Sequence, residues 1–152
     1  MTNEQLKEKI LRIASNAEVA EGKQYLEATI PAGRILSLAK TLKESEDTAF
    51  DYLYCLSGVD YGDHFALLYH LTSSVHNHSL VIRTKISGRE NPSAESVYSI
   101  WKTAEYHERE IFDLLGISFR NHPDLRRIFL DDSWQGYPLR KDYTDDVNIV
   151  ER

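Results

Sequence analysis

The stretch HFALLYHLTSSVHNHSLVIRTKI, residues 64–86, decides the fold. Large apolar side chains recur at every second position of His64–Thr72 and again in Ser79–Ile86. The alternating apolar residues are Phe65, Leu67, Tyr69, Leu71, Leu80, Ile82 and Ile86. A period of two predicts half-buried β-strands, and the short turn between them predicts an antiparallel pair. The stretch therefore indicates the centre of a β-sheet.

Two further segments extend this sheet. Phe50–Leu56 is rich in aromatic residues and connects to His64–Thr72 through the short, turn-rich sequence GVDYGD. The three strands should therefore form an antiparallel meander. Tyr25–Ile30 also alternates and is ended by Pro31. We expect a mixed, mostly antiparallel sheet of about four strands.

Three helices are predicted around the sheet. The first has one apolar face and a capping box between Thr2 and Gln5; its apolar residues are Leu6, Ile10, Ile13, Ala14 and Ala17. The second covers Ile35–Leu42. The third runs from about Ser93 to Leu115, with a candidate break near Trp101 and Gly116 just after its end. The predicted fold class is α+β, with helices packed on the sheet.

The pattern changes after Leu115. Residues 116–152 show no sustained helical or strand period, yet they contain many aromatic and apolar side chains. Disordered segments are poor in aromatic residues, and long irregular segments in compact domains are usually functional. We therefore expect an α+β domain over residues 1–115. An irregular C-terminal docking segment over 116–152 should pack on that domain or on a partner.

Composition excludes several classes of protein. The chain has 152 residues and a net charge of −6, so nothing marks it as a nucleic-acid binder. Its longest uninterrupted apolar runs, such as Phe65–Tyr69, are far short of the roughly 20 residues of a membrane span. The polar N-terminus lacks the apolar core of a signal peptide, which favours the cytoplasm.

The sequence gives no sign of a bound cofactor. It lacks the glycine-rich motifs that hold nucleotide phosphates. Its single cysteine, Cys55, cannot hold an iron–sulfur cluster, which needs four ligands. We expect Cys55 to be a small buried apolar residue, since free cysteines are usually buried.

Two weak constellations could bind a metal. His76 and His78 are spaced by two, but they lie in a polar turn without further ligands nearby, so we interpret them as exposed turn residues. The other group contains Glu105, Glu108, Glu110, Asp113, His122 and Asp124. Arg109 lies four residues from both Glu105 and Asp113, which favours an ion-paired helix followed by a docking loop. A small metal-dependent hydrolase using Glu108, Glu110, Asp113 and His122 is the less favoured alternative.

Residues 108–143 carry a run of motifs. They are Glu108-Arg109-Glu110, an acidic residue with apolar residues and glycine at Asp113–Gly116, His122-Pro123-Asp124-Leu125-Arg126-Arg127, and GYPLRKDY at Gly136–Tyr143. The run resembles the C subunit, the 30 kDa subunit family, of respiratory complex I, the proton-translocating NADH:quinone oxidoreductase. One departure is visible, since Asp131-Asp132-Ser133 precede Trp134 where the family usually has Pro-Glu-Asp.

The resemblance implies a non-catalytic structural and assembly subunit in the hydrophilic arm of the complex, peripheral on the cytoplasmic face of the membrane. Its expected partners are the D, B and I subunits, while NADH, FMN, iron–sulfur clusters and quinone belong to the whole complex. The alternative is a homologous subunit of a membrane-bound [NiFe] hydrogenase or another complex-I-like oxidoreductase. The residues assigned to docking are Glu108, Arg109, Glu110, Asp113, His122, Pro123, Asp124, Arg126, Arg127, Trp134, Arg140, Lys141 and Asp142.

Overall fold

The main sheet has five strands in the order β1-β2-β5-β4-β3. The computed structural model describes residues 1–145 and 147. The strands are β1 Glu18–Glu21, β2 Leu26–Pro31, β3 Tyr52–Asp60, β4 His64–Ser73 and β5 His78–Ser87. Strand β2 runs parallel to β5 and all other pairs are antiparallel. The mixed, mostly antiparallel sheet is confirmed, but it has five strands rather than four. The sequence did not predict β1, because this short, exposed and acidic strand carries no apolar alternation.

The register of the sheet explains the apolar alternation. Tyr69 lies opposite Ile82 and Leu71 lies opposite Leu80, so these side chains share one face. All four are fully buried. The antiparallel meander of β3, β4 and β5 is therefore confirmed.

Two helices cover the core. Helix α1, Asn3–Ile13, begins at the predicted capping box between Thr2 and Gln5. Helix α2 spans Ile35–Glu44 and buries its apolar face. The expectation that the first helix reaches Ala17 is wrong, because the helix ends at Ile13 and Ala17 is buried in the turn that follows.

The third helix is shorter than expected. Helix α3 spans Ala104–Leu115, and Gly116 caps it in the left-handed conformation as predicted. Ser93–Glu95 is a strand, β6, which pairs in parallel with β7, Ser118–Arg120, in a second small sheet. The expected helix start near Ser93 is wrong because β6 is stabilised by a strand far away in sequence, which local periodicity cannot reveal.

The two histidines of the β4–β5 turn differ. His76 is exposed as expected, but His78 begins β5 and is half-buried. The Nε2 atom of His78 lies 2.9 Å from the carbonyl oxygen of Thr48, and its ring centroid lies 4.7 Å from that of Phe50. The interpretation of His78 as an exposed turn residue is therefore wrong.

Gly116 is where α3 turns toward β7. Its φ of +71° is unfavourable for other residues, and a Cβ there would lie 2.6 Å from the ring of Tyr137. We expect Gly116→Ala to lower the free energy of unfolding by about 1–3 kcal/mol, measured by urea denaturation. Gly33→Ala is the control, because no atom lies within 4 Å of its Cβ. That variant should be neutral or stabilised by up to about 1 kcal/mol. Equal stability of the two variants would contradict the prediction.

Candidate docking site

Helix α3 buries three charged side chains. Glu108 and Asp113 are fully buried and Arg109 is 6% exposed. On the side that faces the sheet, Ile111 and Leu115 pack against Gly58 of β3, where a Cβ would meet them within 3.1 Å. Buried charges are costly unless they are paired and hydrogen-bonded. The partners of these three side chains therefore show which parts of the chain α3 binds.

Asp113 holds the chain that follows β7. Its Oδ2 accepts hydrogen bonds from the backbone N–H groups of Ile128, Phe129 and Leu130, at 3.2, 2.7 and 3.1 Å. Its Oδ1 lies 2.9 Å from Nη1 of Arg127. Burial alone would raise the pKa of Asp113, but these hydrogen bonds outweigh burial and lower it. The carboxylate therefore fixes a stretch that has no regular secondary structure.

Arg109 has a different partner from the one expected. Its guanidinium donates hydrogen bonds to the backbone carbonyls of Arg126 and Arg127, at 3.2 and 3.0 Å. The expectation that it pairs with Glu105 and Asp113 along the helix surface is wrong. Helical spacing places Glu105 and Asp113 near Arg109. The buried guanidinium instead donates to two carbonyls of the C-terminal segment, which receive no other hydrogen bond from α3.

Glu108 joins α3 to the two residues that follow β6 and lies close to the loop after β7. Its Oε1 accepts the N–H of Val97 at 2.8 Å, and its Oε2 accepts the hydroxyl of Ser96 at 2.6 Å. Nε2 of His122 lies 3.8 Å from Oε2, and both side chains are fully enclosed. Burial raises the pKa of Glu108 to about 7, although the two hydrogen bonds act in the opposite direction.

A second anchor was not found from the sequence. Asp60, at the end of β3, accepts two hydrogen bonds from Arg89, at 2.7 and 2.9 Å, and the N–H of Lys141 at 2.9 Å. The hydrogen bonds from Arg89 hold the pKa of Asp60 well below its usual range. Arg89 also pairs with Asp142 at 3.1 Å. Asp60 and Arg89 lie in turn-rich sequence, where no spacing rule connects them to the C-terminal segment.

Arg140 clamps the end of α3. Its Nε donates to the carbonyl of Leu115 at 2.6 Å, and its Nη1 donates to the carbonyl of Arg89 at 3.1 Å. Its guanidinium lies over the rings of Phe65 and Tyr137, at 5.1 and 5.0 Å. Arg140 therefore stabilises the chain's own fold.

The structure divides the assigned docking residues into two sets. Those enclosed or half-buried are Glu108, Arg109, Asp113, His122, Arg127, Trp134 and Arg140. Those exposed are Glu110, Pro123, Asp124, Arg126, Lys141 and Asp142. Large apolar side chains are exposed in the same segments and include Tyr106, Phe129 and Leu139, at 60%, 66% and 61%.

A groove of about 280 Å³ lies between β3 and α3. Its walls include residues 55–58 of β3, His107, Glu110 and Leu114 of α3, and Leu139. Cys55 lines this groove and is half-buried, so the expectation of a buried cysteine is wrong. The bulge of β3 between Leu53 and Cys55 changes which side chains face the core there.

The described residues include no group of three or more His, Cys, Asp and Glu side chains that could hold a metal ion. The structure brings Glu108 and His122 together, but it places Glu110 at the surface and engages Asp113 with backbone N–H groups. The arrangement therefore suits these groups to holding the chain's own backbone. Over residues 1–145 and 147, no helix has both the length and the apolar character needed to cross a membrane.

These features define a class of protein: an α+β domain whose third helix uses buried charges to fix an irregular C-terminal segment. The family model described as "Respiratory-chain NADH dehydrogenase, 30 Kd subunit" matches residues 28–147. The chain belongs to this family.

Relatives and a solved structure agree with this assignment. The chain is 48% identical over 109 residues to the C subunit of the NADH-quinone oxidoreductase of Chloroherpeton thalassium, covering 70% of the chain and 45% of the relative. It is 42% identical over 120 residues to the C/D subunit of the enzyme of Phocaeicola vulgatus, covering 78% of the chain and 23% of the relative. The chain therefore spans less than half the length of these two relatives.

A longer match and a structural match extend the comparison. The C subunit of the NADH-quinone oxidoreductase of Burkholderia mallei is 37% identical over 153 residues, covering 89% of the chain and 76% of the relative. A chain of the membrane-bound sulfane sulfur reductase, an archaeal respiratory membrane complex, superposes with a TM-score of 0.81 at 26% identity. That match covers 93% of this chain and 85% of the other.

Asp113 and Asp124 provide a matched pair of variants. Asp113→Asn removes the negative charge that faces Arg127, and it places an amide N–H donor next to backbone N–H groups that need an acceptor. We therefore expect the free energy of unfolding to fall by about 3 kcal/mol. Asp124 pairs with Arg126 at 2.8 Å on the surface, where both side chains are more than half exposed. Asp124→Asn should leave the urea midpoint unchanged, since exposed pairs contribute little. The role of Asp113 is refuted if both variants unfold at the wild-type urea concentration.

Proposed function

We propose that this chain is a structural and assembly subunit of the hydrophilic arm of a proton-translocating NADH:quinone oxidoreductase. The observation that carries the proposal is the use of the buried charges of α3. Asp113 and Arg109 bind the chain's own backbone, so these two charges support the C-terminal segment. The chain contributes no catalytic centre and no cofactor. NADH, FMN, iron–sulfur clusters and quinone are bound by other subunits of the complex.

The proposed direct partner is the D subunit, with the B and I subunits as further neighbours. The relative from Phocaeicola vulgatus is named as a combined C/D subunit, so in that protein both parts lie in one polypeptide. This supports a fixed contact between the two parts. The proposed location is peripheral, on the cytoplasmic face of the membrane, as one part of the membrane-bound complex.

The proposed contact is the α3 surface, defined here by Tyr106, Glu110, Arg126, Phe129 and Leu139. Tyr106 and Glu110 lie one helical turn apart on α3, and Glu110 and Leu139 both line the groove beside β3. The N–H of Phe129 is bound to α3 through Asp113. Exposed apolar side chains mixed with single charges are typical of interface surfaces. The buried charges hold this surface in shape before the partner binds.

The alternative is a homologous subunit of another respiratory membrane complex, such as a [NiFe] hydrogenase. It is favoured by the structural match to the sulfane sulfur reductase. The higher identity to the C subunits of NADH-quinone oxidoreductases, up to 48% among the relatives above, favours the first proposal. Purification of the tagged chain from native membranes tests both. NADH:quinone activity in the purified complex supports the first proposal, and hydrogenase or sulfur-reductase activity without it supports the alternative.

Leu139 tests the α3 surface directly. Leu139→Asp should weaken binding to the co-expressed D subunit about 10–100-fold, since an exposed leucine that becomes buried contributes about 1.5–3 kcal/mol. Binding is measured by quantitative pull-down, and circular dichroism checks the fold of the free chain. Leu11→Asp is the control, because Leu11 is an exposed leucine on α1, which packs beside β1 and β2 at the other edge of the sheet. Equal binding of the two variants would contradict the proposed surface.

A further inference from the structure

Glu108 is a buried carboxyl without a cationic partner. Its two oxygens accept hydrogen bonds only from the neutral groups of Ser96 and Val97 among the described residues. The neighbouring Arg109 directs its guanidinium to backbone carbonyls of the C-terminal segment instead. An enclosed carboxylate with no counter-charge is unfavourable, so the neutral acid is the form that suits this site.

His122 cannot supply the missing charge without breaking a contact. Its Nδ1 accepts the N–H of Asp124 at 3.0 Å, so the ring hydrogen is on Nε2, which donates to the carbonyl of Glu105 at 2.9 Å. A protonated ring would direct a second donor at the N–H of Asp124. The contact with Asp124 inside the loop therefore uses the neutral imidazole, whereas the bond from Nε2 to Glu105 of α3 needs only the Nε2 hydrogen.

The remaining groups around Glu108 are neutral or engaged elsewhere. Tyr69 of β4 is fully buried, and its hydroxyl makes no hydrogen bond within the described chain. Burial, and then the charge of Glu108, raise the pKa of Tyr69. The carboxylate of Asp124 points to Arg126, with a distance of 2.8 Å. The ring of Tyr98 lies 6.5 Å from that of His122.

We propose that Glu108 is a proton-binding site, and that the proton bound there holds the loop Asn121–Asp124 on helix α3. Ionisation breaks the O–H bond of the carboxyl group and releases the proton to water. The charge left behind needs hydration. Ser96 and Val97 are buried, whereas His122 is attached to α3 by one hydrogen bond, from its Nε2 to the carbonyl of Glu105, so water enters by displacing that side chain. Downstream, the bonds from Asp113 and Arg109 keep residues 126–130 in place.

The direction of the pH dependence follows from the raised pKa. A carboxyl whose pKa rises from 4.5 to about 7 on folding stabilises the fold fully below pH 4.5 and loses that contribution as pH rises through 7. The loop should therefore be bound at pH 6 and released at pH 8.5. The ionised fraction of Glu108 grows about tenfold between these values.

Amide hydrogen exchange of Asp124, measured by NMR on the full chain, tests the proposal. After correction for the intrinsic exchange rate, protection of this N–H should fall about tenfold from pH 6 to pH 8.5. Glu108→Gln keeps a neutral side chain at both pH values and should show constant protection. The N–H of Phe129, bound to Asp113, is the internal control and should not change. Constant protection of Asp124 in the wild type, or an equal fall in Glu108→Gln, overturns the proposal.

A second measurement needs no variant. The side-chain carboxyl ¹³C resonance of Glu108 in the wild-type chain should titrate with a midpoint near pH 7. An ordinary midpoint near pH 4.5 overturns the proposal. Arg126 of the α3 surface follows closely after this loop, so loss of the proton could also change binding to the partner. That effect on assembly rests on the proposed docking function. If exchange behaves as expected while binding to the D subunit is equal at pH 6 and 8.5, the proton site stands and the loop's part in docking fails.

Discussion

The carboxylate of Asp113 is the contact on which the irregular C-terminal segment depends. A segment without helix or strand leaves its backbone N–H groups unpaired, and burying them unpaired is costly. One oxygen of Asp113 accepts three consecutive N–H groups, and the other pairs with Arg127. Because Asp113 is carried by a helix that packs on the sheet, the irregular segment gains a rigid support. A surface built on that segment is then ordered without secondary structure of its own.

The sequence predicted those parts of the fold whose pattern and partner are both local. The strands β4 and β5 were predicted because apolar residues alternate within each and a short turn joins them. Strands β6 and β7 were missed because each has three residues and exists only through the other. The same limit applies to Arg109. Helical spacing suggested neighbours on its own helix, while its real partners are carbonyls of a segment that periodicity cannot place.

The motif residues also show why a residue type does not reveal its role. Glu108 and Glu110 are two positions apart on one helix, which turns about 200° between them. One is fully enclosed and the other is exposed. The resemblance assigned both to docking, but only an exposed side chain can contact a partner directly. The enclosed one acts by fixing the position of Ser96 and Val97 against α3. The division between support and contact required the three-dimensional packing.

The two buried carboxyl groups of α3 respond to pH in opposite directions. Asp113 has Arg127 and three N–H groups, and its pKa is lowered, so its contribution to stability is lost in acid. Glu108 has no Lys or Arg partner among residues 1–145 and 147, and its pKa is raised to about 7, so its contribution is lost in alkali. Asp113 binds the C-terminal segment directly, and Glu108 binds Ser96 and Val97 beside the loop of that segment. These contacts are therefore firmest above the lowered pKa of Asp113 and below the raised pKa of Glu108, where Asp113 is ionised and Glu108 is neutral. Helix α3 thus stabilises the residues packed against it through an ionised carboxylate at Asp113 and through a neutral carboxyl group at Glu108, five residues earlier.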